Sequence, residues 1–208
     1  MGNRLSEIIL NTDDAILALV QEYGVITYLI LFLIVYAETG LLVFPFLPGD
    51  GLLFAIGVIS GLGYLEIGWI LLLLIIAATL GNYTSFAFGR YGQGLFKESK
   101  NERVKVYLQH SQRFYDSHGG NAVIFARFLP VLRTYVPLMA GLSNMHRQKF
   151  GINSLVGAVA WVLLFTLLGY FLGSIPWVEE NYGFIFLSLI IITILPLPVR
   201  YLMKIVRH

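Results

Sequence analysis

Long apolar runs separated by short polar ones dominate this chain, and the runs are of two kinds. Residues 67–89, 150–173 and 183–203 are continuous, close to the ~20 residues a helix needs to cross a bilayer. Residues 24–60 and 120–142 are as apolar but are broken. Pro45, Pro48, Gly49 and Gly51 interrupt the first, and Pro130, Pro137 and Gly141 interrupt the second. Backbone freed by proline or glycine is tolerated at membrane depth only inside protein or along a wet cavity. Both broken runs are therefore predicted to be hairpin-like segments. Residues 4–22 differ again. Ile8, Ile9, Ala15, Ile16, Leu19 and Val20 recur at helical spacing among polar residues, which predicts an interfacial amphipathic helix.

Composition agrees with the pattern. The chain is 57% hydrophobic and 12% charged, with a mean hydropathy of +0.76. A soluble domain has about 25% charged residues. The expectation is one all-α integral membrane domain over residues 1–208. Residues 1–22 carry Arg4 against Glu7, Asp13, Asp14 and Glu22, the wrong sign for a signal peptide. The absence of cysteine excludes disulfide and thiol chemistry. The histidines lack metal-ligand spacing, so neither a metal nor a cofactor is expected.

The basic residues set an orientation. Residues 90–118 form a polar, partly amphipathic region with Arg90, Lys97, Lys100, Arg103, Lys105 and Arg113. Arg147 and Lys149 follow the second broken run, and Arg200, Lys204 and Arg207 close the chain. All are expected in the cytoplasm, the C-terminus included. Residues 120–142 then enter and leave on one side, as a re-entrant segment. With residues 24–60 re-entrant from the opposite side, the order becomes amphipathic helix, re-entrant hairpin and transmembrane helix, repeated upside down. A last transmembrane helix, 183–203, follows. This is an inverted-topology repeat. Because residues 24–60 are long enough for one leg to cross, the side of the N-terminus stays open.

Four ionisable residues sit in the broken runs, where charge is costly and marks function by default. Glu38 and Asp50 lie in the first, and a hairpin with its tip near Pro45–Gly51 can bring them together. A carboxylate in low dielectric loads a proton readily, which suits binding of a proton or cation. Asp50 also suits the N-cap of a helix beginning at Gly51. Arg127 and Arg133 are six residues apart across Pro130, so a regular helix would not put them on one face; a break can. Guanidinium forks fit phosphate oxygens. Two readings stand: a phosphate-headgroup site, or internal salt bridges from the arginines to Glu38 and Asp50. The two are compatible.

Other features carry less. Asn82, Tyr83, Thr84 and Ser85 face either a cavity or another helix. Trp161, Trp177 and Tyr182 suit anchoring or packing. The GRYGQG run after Phe88 lacks a following strand and a Walker lysine, so nucleotide binding is discarded. No nucleophile–base pair or paired carboxylates appear, so an enzyme is not expected.

Several of these pieces occur together: Glu38, Pro45-Phe-Leu-Pro48-Gly49-Asp50, Gly81, Gly89-Arg90-Tyr-Gly92, Phe125-Ala-Arg127-Phe-Leu-Pro130-Val-Leu-Arg133, Ala140-Gly141, Trp161 and Gly169-Tyr170 through Gly173. In this the chain resembles the bacterial DedA family, also called the SNARE-associated or VTT-domain group, over about residues 20–175. The resemblance implies transport of a lipid phosphate across the bacterial cytoplasmic membrane, with undecaprenyl phosphate the leading substrate and dependence on the proton motive force. It implies phospholipids such as phosphatidylethanolamine for some members and scramblase activity for eukaryotic relatives. It maps essential acidic and arginine residues onto Glu38, Asp50, Arg127 and Arg133. The expected function is a flippase-like carrier in which Arg127 and Arg133 hold the phosphate and Glu38 and Asp50 couple protons. Its partners are then a membrane lipid and protons, with no nucleic acid; small residues in the spans permit a homo-oligomer. A phospholipid translocase, a proton-coupled cation antiporter and a non-transporting scaffold are the alternatives.

Overall fold

The computed structural model describes residues 23–41, 49–97, 119–172 and 175. Among them are six helices and no strand: α1 (Ile26–Gly40), α2 (Gly49–Gly61), α3 (Ile67–Lys97), α4 (Asn121–Ala126), α5 (Pro130–Leu142) and α6 (Arg147–Leu172). The expected amphipathic helix at 4–22 and span at 183–203 lie outside the described residues, as do Pro45 and Pro48.

Two helices are long and apolar enough to cross a membrane, over Ile67–Gly92 and Arg147–Leu172, 26 residues each. At 1.5 Å per residue each reaches ~39 Å, enough for a ~30 Å hydrocarbon layer. Both helices expose many large apolar side chains. On α3, Trp69, Leu72, Ile76, Leu80 and Phe88 are exposed, while Ala77, Ala78, Asn82 and Ser85 are buried. On α6, Ile152, Leu155, Val156, Leu164, Leu168 and Phe171 face out, while Ser154, Ala158 and Thr166 face in. Ile70, Leu74 and Phe86 of α3 and Phe150, Trp161 and Val162 of α6 are buried too, so each helix packs one face in protein and leaves the other, rich in large apolar side chains, to lipid, whose tails solvate leucine. This is a membrane protein.

The order of helix, second helix, long helix occurs twice, as α1–α2–α3 and α4–α5–α6. Helices α2 and α5 are both 13 residues long, and both end alike. After α2, Gly63 at φ +84° gives its N–H to the Ser60 carbonyl, and Tyr64 gives its N–H to that of Ile59. After α5, Asn144 at φ 59° donates to Gly141 and Met145 to Ala140. Both are Schellman caps, which satisfy terminal carbonyls through one left-handed residue. Helix α5 starts on Pro130, whose missing N–H costs nothing at the first turn. It then continues through Pro137 and Gly141. The expected breaks at those two positions are corrected: the chain breaks between Ala126 and Pro130. Pro137 forfeits one helical bond without ending the helix. Gly141 is a packing residue.

The described chain falls into two compact units. One holds Leu31–Pro45 and Leu73–Trp161. In it a methyl on Gly141 would overlap the Phe86 carbonyl oxygen on α3, and a methyl on Gly89 would overlap that of Leu138 on α5. Helix α1 meets α3 in the same way, through Gly40 and Gly81. Phe86 and Phe150 stack at 4.2 Å between ring centroids, in a cluster with Val123, Ala126, Val136, Ala140 and Met145. Asn82 donates to Ser154 Oγ at 3.0 Å, joining α3 to α6. Tyr83 packs on Phe86 and Phe150, and Thr84 Oγ1 is 3.0 Å from the Tyr36 hydroxyl. Of the alternatives for residues 82–85, these contacts are helix packing. Arg90 donates to the Met145 carbonyl at 3.2 Å, fastening α3 to the cap of α5.

The other unit holds Met1–Ile30, Phe46–Leu72 and Val162–His208. There Gly57 of α2 lies against the Thr166 carbonyl and Gly169 of α6, and Gly169 against Phe54. Glycines thus seat α2 on α6 as they seat α5 on α3.

Candidate functional site

Three of the four expected site residues meet in the first unit. Glu38 lies in the last turn of α1, Arg127 just past α4, and Arg133 in the first turn of α5. They are 3%, 3% and 8% exposed. Arg133 Nη2 donates to Glu38 Oε1 in a buried ion pair. Arg127 Nη2 donates to the Ala78 carbonyl on α3 at 3.0 Å. The break at 127–129 does what a regular helix could not: both guanidiniums lie over the Trp161 ring of α6, at 5.3 Å for Arg127 and 5.6 Å for Arg133.

Small residues make the room. Gly157, one turn before Trp161, allows Ile124 and the Arg127 stem to come close; a methyl there would sit 3.3 Å from the Ile124 Cα and 3.7 Å from Arg127 Cδ. The tight neighbour is the Ile124 backbone, and the Arg127 stem stands at ordinary contact distance.

The electrostatics are uneven. Arg133 has a carboxylate partner. Arg127 does not: among the described residues its Nε and Nη1 are buried with no hydrogen-bond partner. A guanidinium offers five N–H donors. Leaving buried donors unmade costs about 1–3 kcal/mol each, more when charged. An oxyanion beside Arg127 would satisfy them. Among the described residues no three His, Asp or Glu side chains gather to hold a metal ion.

Asp50 belongs to the second unit and is 8% exposed. Helix α2 begins at Gly49, so Asp50 lies within its first turn. The expected cap of a helix starting at Gly51 is corrected accordingly. A carboxylate in a first turn is favoured by the helix dipole. The hairpin tip expected to join Glu38 and Asp50 includes residues 42–48, outside the described residues.

Sequence reasoning passed over two contributors. Trp161 was grouped with anchoring or packing residues; it is fully buried against both arginines. The signal available was its spacing, because Gly157 and Trp161 share one face of α6, four apart. The Ala78 carbonyl had no signal, since any residue carries one.

The VTT domain matches residues 47–171, which contain α2 through most of α6. The chain belongs to the VTT-domain, or DedA, family. It is 41% identical to Protein DedA of Escherichia coli, over 98% of this chain and 93% of that protein. It is 36% identical to the inner membrane protein YqjA of the same organism, over 72% of this chain and 69% of that one. An uncharacterized membrane protein of Mycobacterium tuberculosis is 40% identical over 79% of this chain and 74% of its own length. No solved structure gives a significant match. In this VTT-domain protein the matched region includes Asp50, Arg127, Arg133 and Trp161, while Glu38 lies just before it.

Proposed function

We propose that this VTT-domain protein carries a phosphate-bearing lipid headgroup across the bacterial cytoplasmic membrane, with undecaprenyl phosphate as the substrate. The observation that carries the reading is the state of Arg127, a buried guanidinium with two nitrogens unpartnered among the described residues, beside Arg133 on one tryptophan. Charged donors in a dry site favour an oxyanion strongly. The headgroup passes through protein while the tail stays in lipid.

Glu38 gives the site a release step. It pairs with Arg133, so a phosphate taken by Arg133 competes with the Glu38 carboxylate. A displaced carboxylate in low dielectric takes up a proton. Moving an anionic headgroup inward opposes an inside-negative potential of about 2.3 kcal/mol per charge per 100 mV. A proton entering with the lipid cancels that charge. Asp50 is proposed to share the proton coupling. Opposed insertion of the two halves, with α2 and α5 as re-entrant legs and the C-terminus in the cytoplasm, would expose the site alternately to each side. The matched lengths and caps of α2 and α5 support that reading.

The test is headgroup translocation in proteoliposomes, with undecaprenyl phosphate and a labelled phosphatidylethanolamine assayed in parallel. The expected result is movement of undecaprenyl phosphate, lost in Arg127→Ala and Arg133→Ala. Movement of the phospholipid alone would keep the phosphate site and change the substrate. Movement of neither by folded protein would end the carrier reading.

A further inference from the structure

We infer that Trp161 is the positioning residue of this site, holding Arg127 and Arg133 over its ring so that the Nε and Nη1 donors of Arg127 stay available to a phosphate. The inference rests on the phosphate-carrier reading above.

Two like charges buried together repel, and burial removes the water that would screen them. Glu38 answers one of them through Arg133. The commonest answer to the other would be a second carboxylate, but that would occupy the donors a phosphate needs and repel the phosphate itself. An aromatic ring solves the problem differently. Its negative face attracts a guanidinium lying over it, most strongly for tryptophan. A ring carries no carboxylate, so it neither pairs with the N–H donors as an acid would nor repels a phosphate.

Both guanidinium carbons lie within 6 Å of the indole centroid. Arg127 keeps Nε and Nη1 unpartnered among the described residues while Nη2 is tied to Ala78, which fixes its rotation. Trp161 itself is fully buried on α6. The arginines come from two segments separated by a break and are tied to different helices, α1 through Glu38 and α3 through Ala78, while the Trp161 ring lies under both.

The experiment separates ring electronics from ring shape. The sequence has three tryptophans, and Trp69→Phe with Trp177→Phe leaves Trp161 alone. The whole chain is produced with tryptophan or with its mono-, di- and trifluorinated forms. These keep the indole's shape and progressively weaken its negative face. Each purified protein is titrated calorimetrically with dodecyl phosphate in a neutral detergent, beside an Arg133→Ala control. The expected result is a stepwise rise in Kd with fluorine number, reaching on the order of tenfold, with thermal unfolding unchanged. A flat Kd across the series, with affinity still lost in Arg133→Ala, would overturn the inference and leave the phosphate site standing. No binding of dodecyl phosphate even by the natural-tryptophan protein would bring down the carrier reading and this inference with it.

Discussion

Arg133 Nη2 donates to Glu38 Oε1 inside the protein, joining two residues 95 positions apart in the chain. The pair fastens the end of α1 to the first turn of α5, the helix that follows the second proline break. Breaking such a pair by removing one partner typically costs 3–5 kcal/mol, because the other charge is left buried. Glu38→Ala is therefore expected to unfold in detergent with about that loss of stability, read as a large fall in melting temperature. Glu38→Gln is expected to lose less, since the amide oxygen still accepts from Arg133. Proton-dependent transport should be lost in both. A Glu38→Gln protein that transports at the wild-type rate would remove the coupling role.

The glycines on the helix seams are expected to split sharply. Gly141→Ala places a methyl on the Phe86 carbonyl, a backbone atom that cannot step aside. Overpacking of this kind costs about 1–3 kcal/mol. Gly68 has nothing within 4 Å of the same position. Gly68→Ala should be neutral or gain up to ~1 kcal/mol from helix propensity. Melting temperatures of the two variants in one detergent decide the matter, and equal values would contradict the close approach of α3 and α5.

The cap after α5 makes a different prediction. Asn144 occupies the left-handed region at φ 59°, where asparagine and glycine are tolerated and β-branched residues are not. Asn144→Gly should leave stability unchanged within ~0.5 kcal/mol, and Asn144→Val should lose about 1–2 kcal/mol. The Arg90 bond to the Met145 carbonyl depends on the same turn. A valine variant as stable as the glycine one would show that the cap contributes little.

Sidedness tests the proposed opposition of the two halves. The chain has no cysteine, so single cysteines report cleanly. Tyr64 follows α2 and His146 follows α5, and both are exposed. In intact cells an impermeant maleimide should label Tyr64→Cys and spare His146→Cys, with the reverse in inside-out vesicles. Labelling of both from one side would rule out inverted insertion.

Much of this was legible in the linear pattern. Residues 67–89 and 150–173 announce long apolar helices through run length alone, because lipid demands about twenty consecutive apolar residues. The observed helix Ile67–Lys97 runs on past 89, and Arg147–Leu172 starts before 150, because a helix does not stop where polarity begins. Pro130 was expected as a break, and α5 starts on it, since proline fixes φ and lacks an N–H. Pro137 carried the same letter and a different outcome: neighbouring turns hold α5 together across one missing bond.

Run length announced the two long apolar helices, Pro130 marked the break ahead of α5, and cost alone singled out the charges in the broken runs. These are properties of single residues and their near neighbours in lipid. Among the partners open to those charges, helix packing made the choice. Arg133 took Glu38, Arg127 took a carbonyl from α3, and both came to lie over Trp161. Such partners are distant in the chain and are chosen by close helix packing, through glycines whose role depends on the backbone opposite. Packing of that kind has no local period, and so it leaves no pattern along the chain from which to read it.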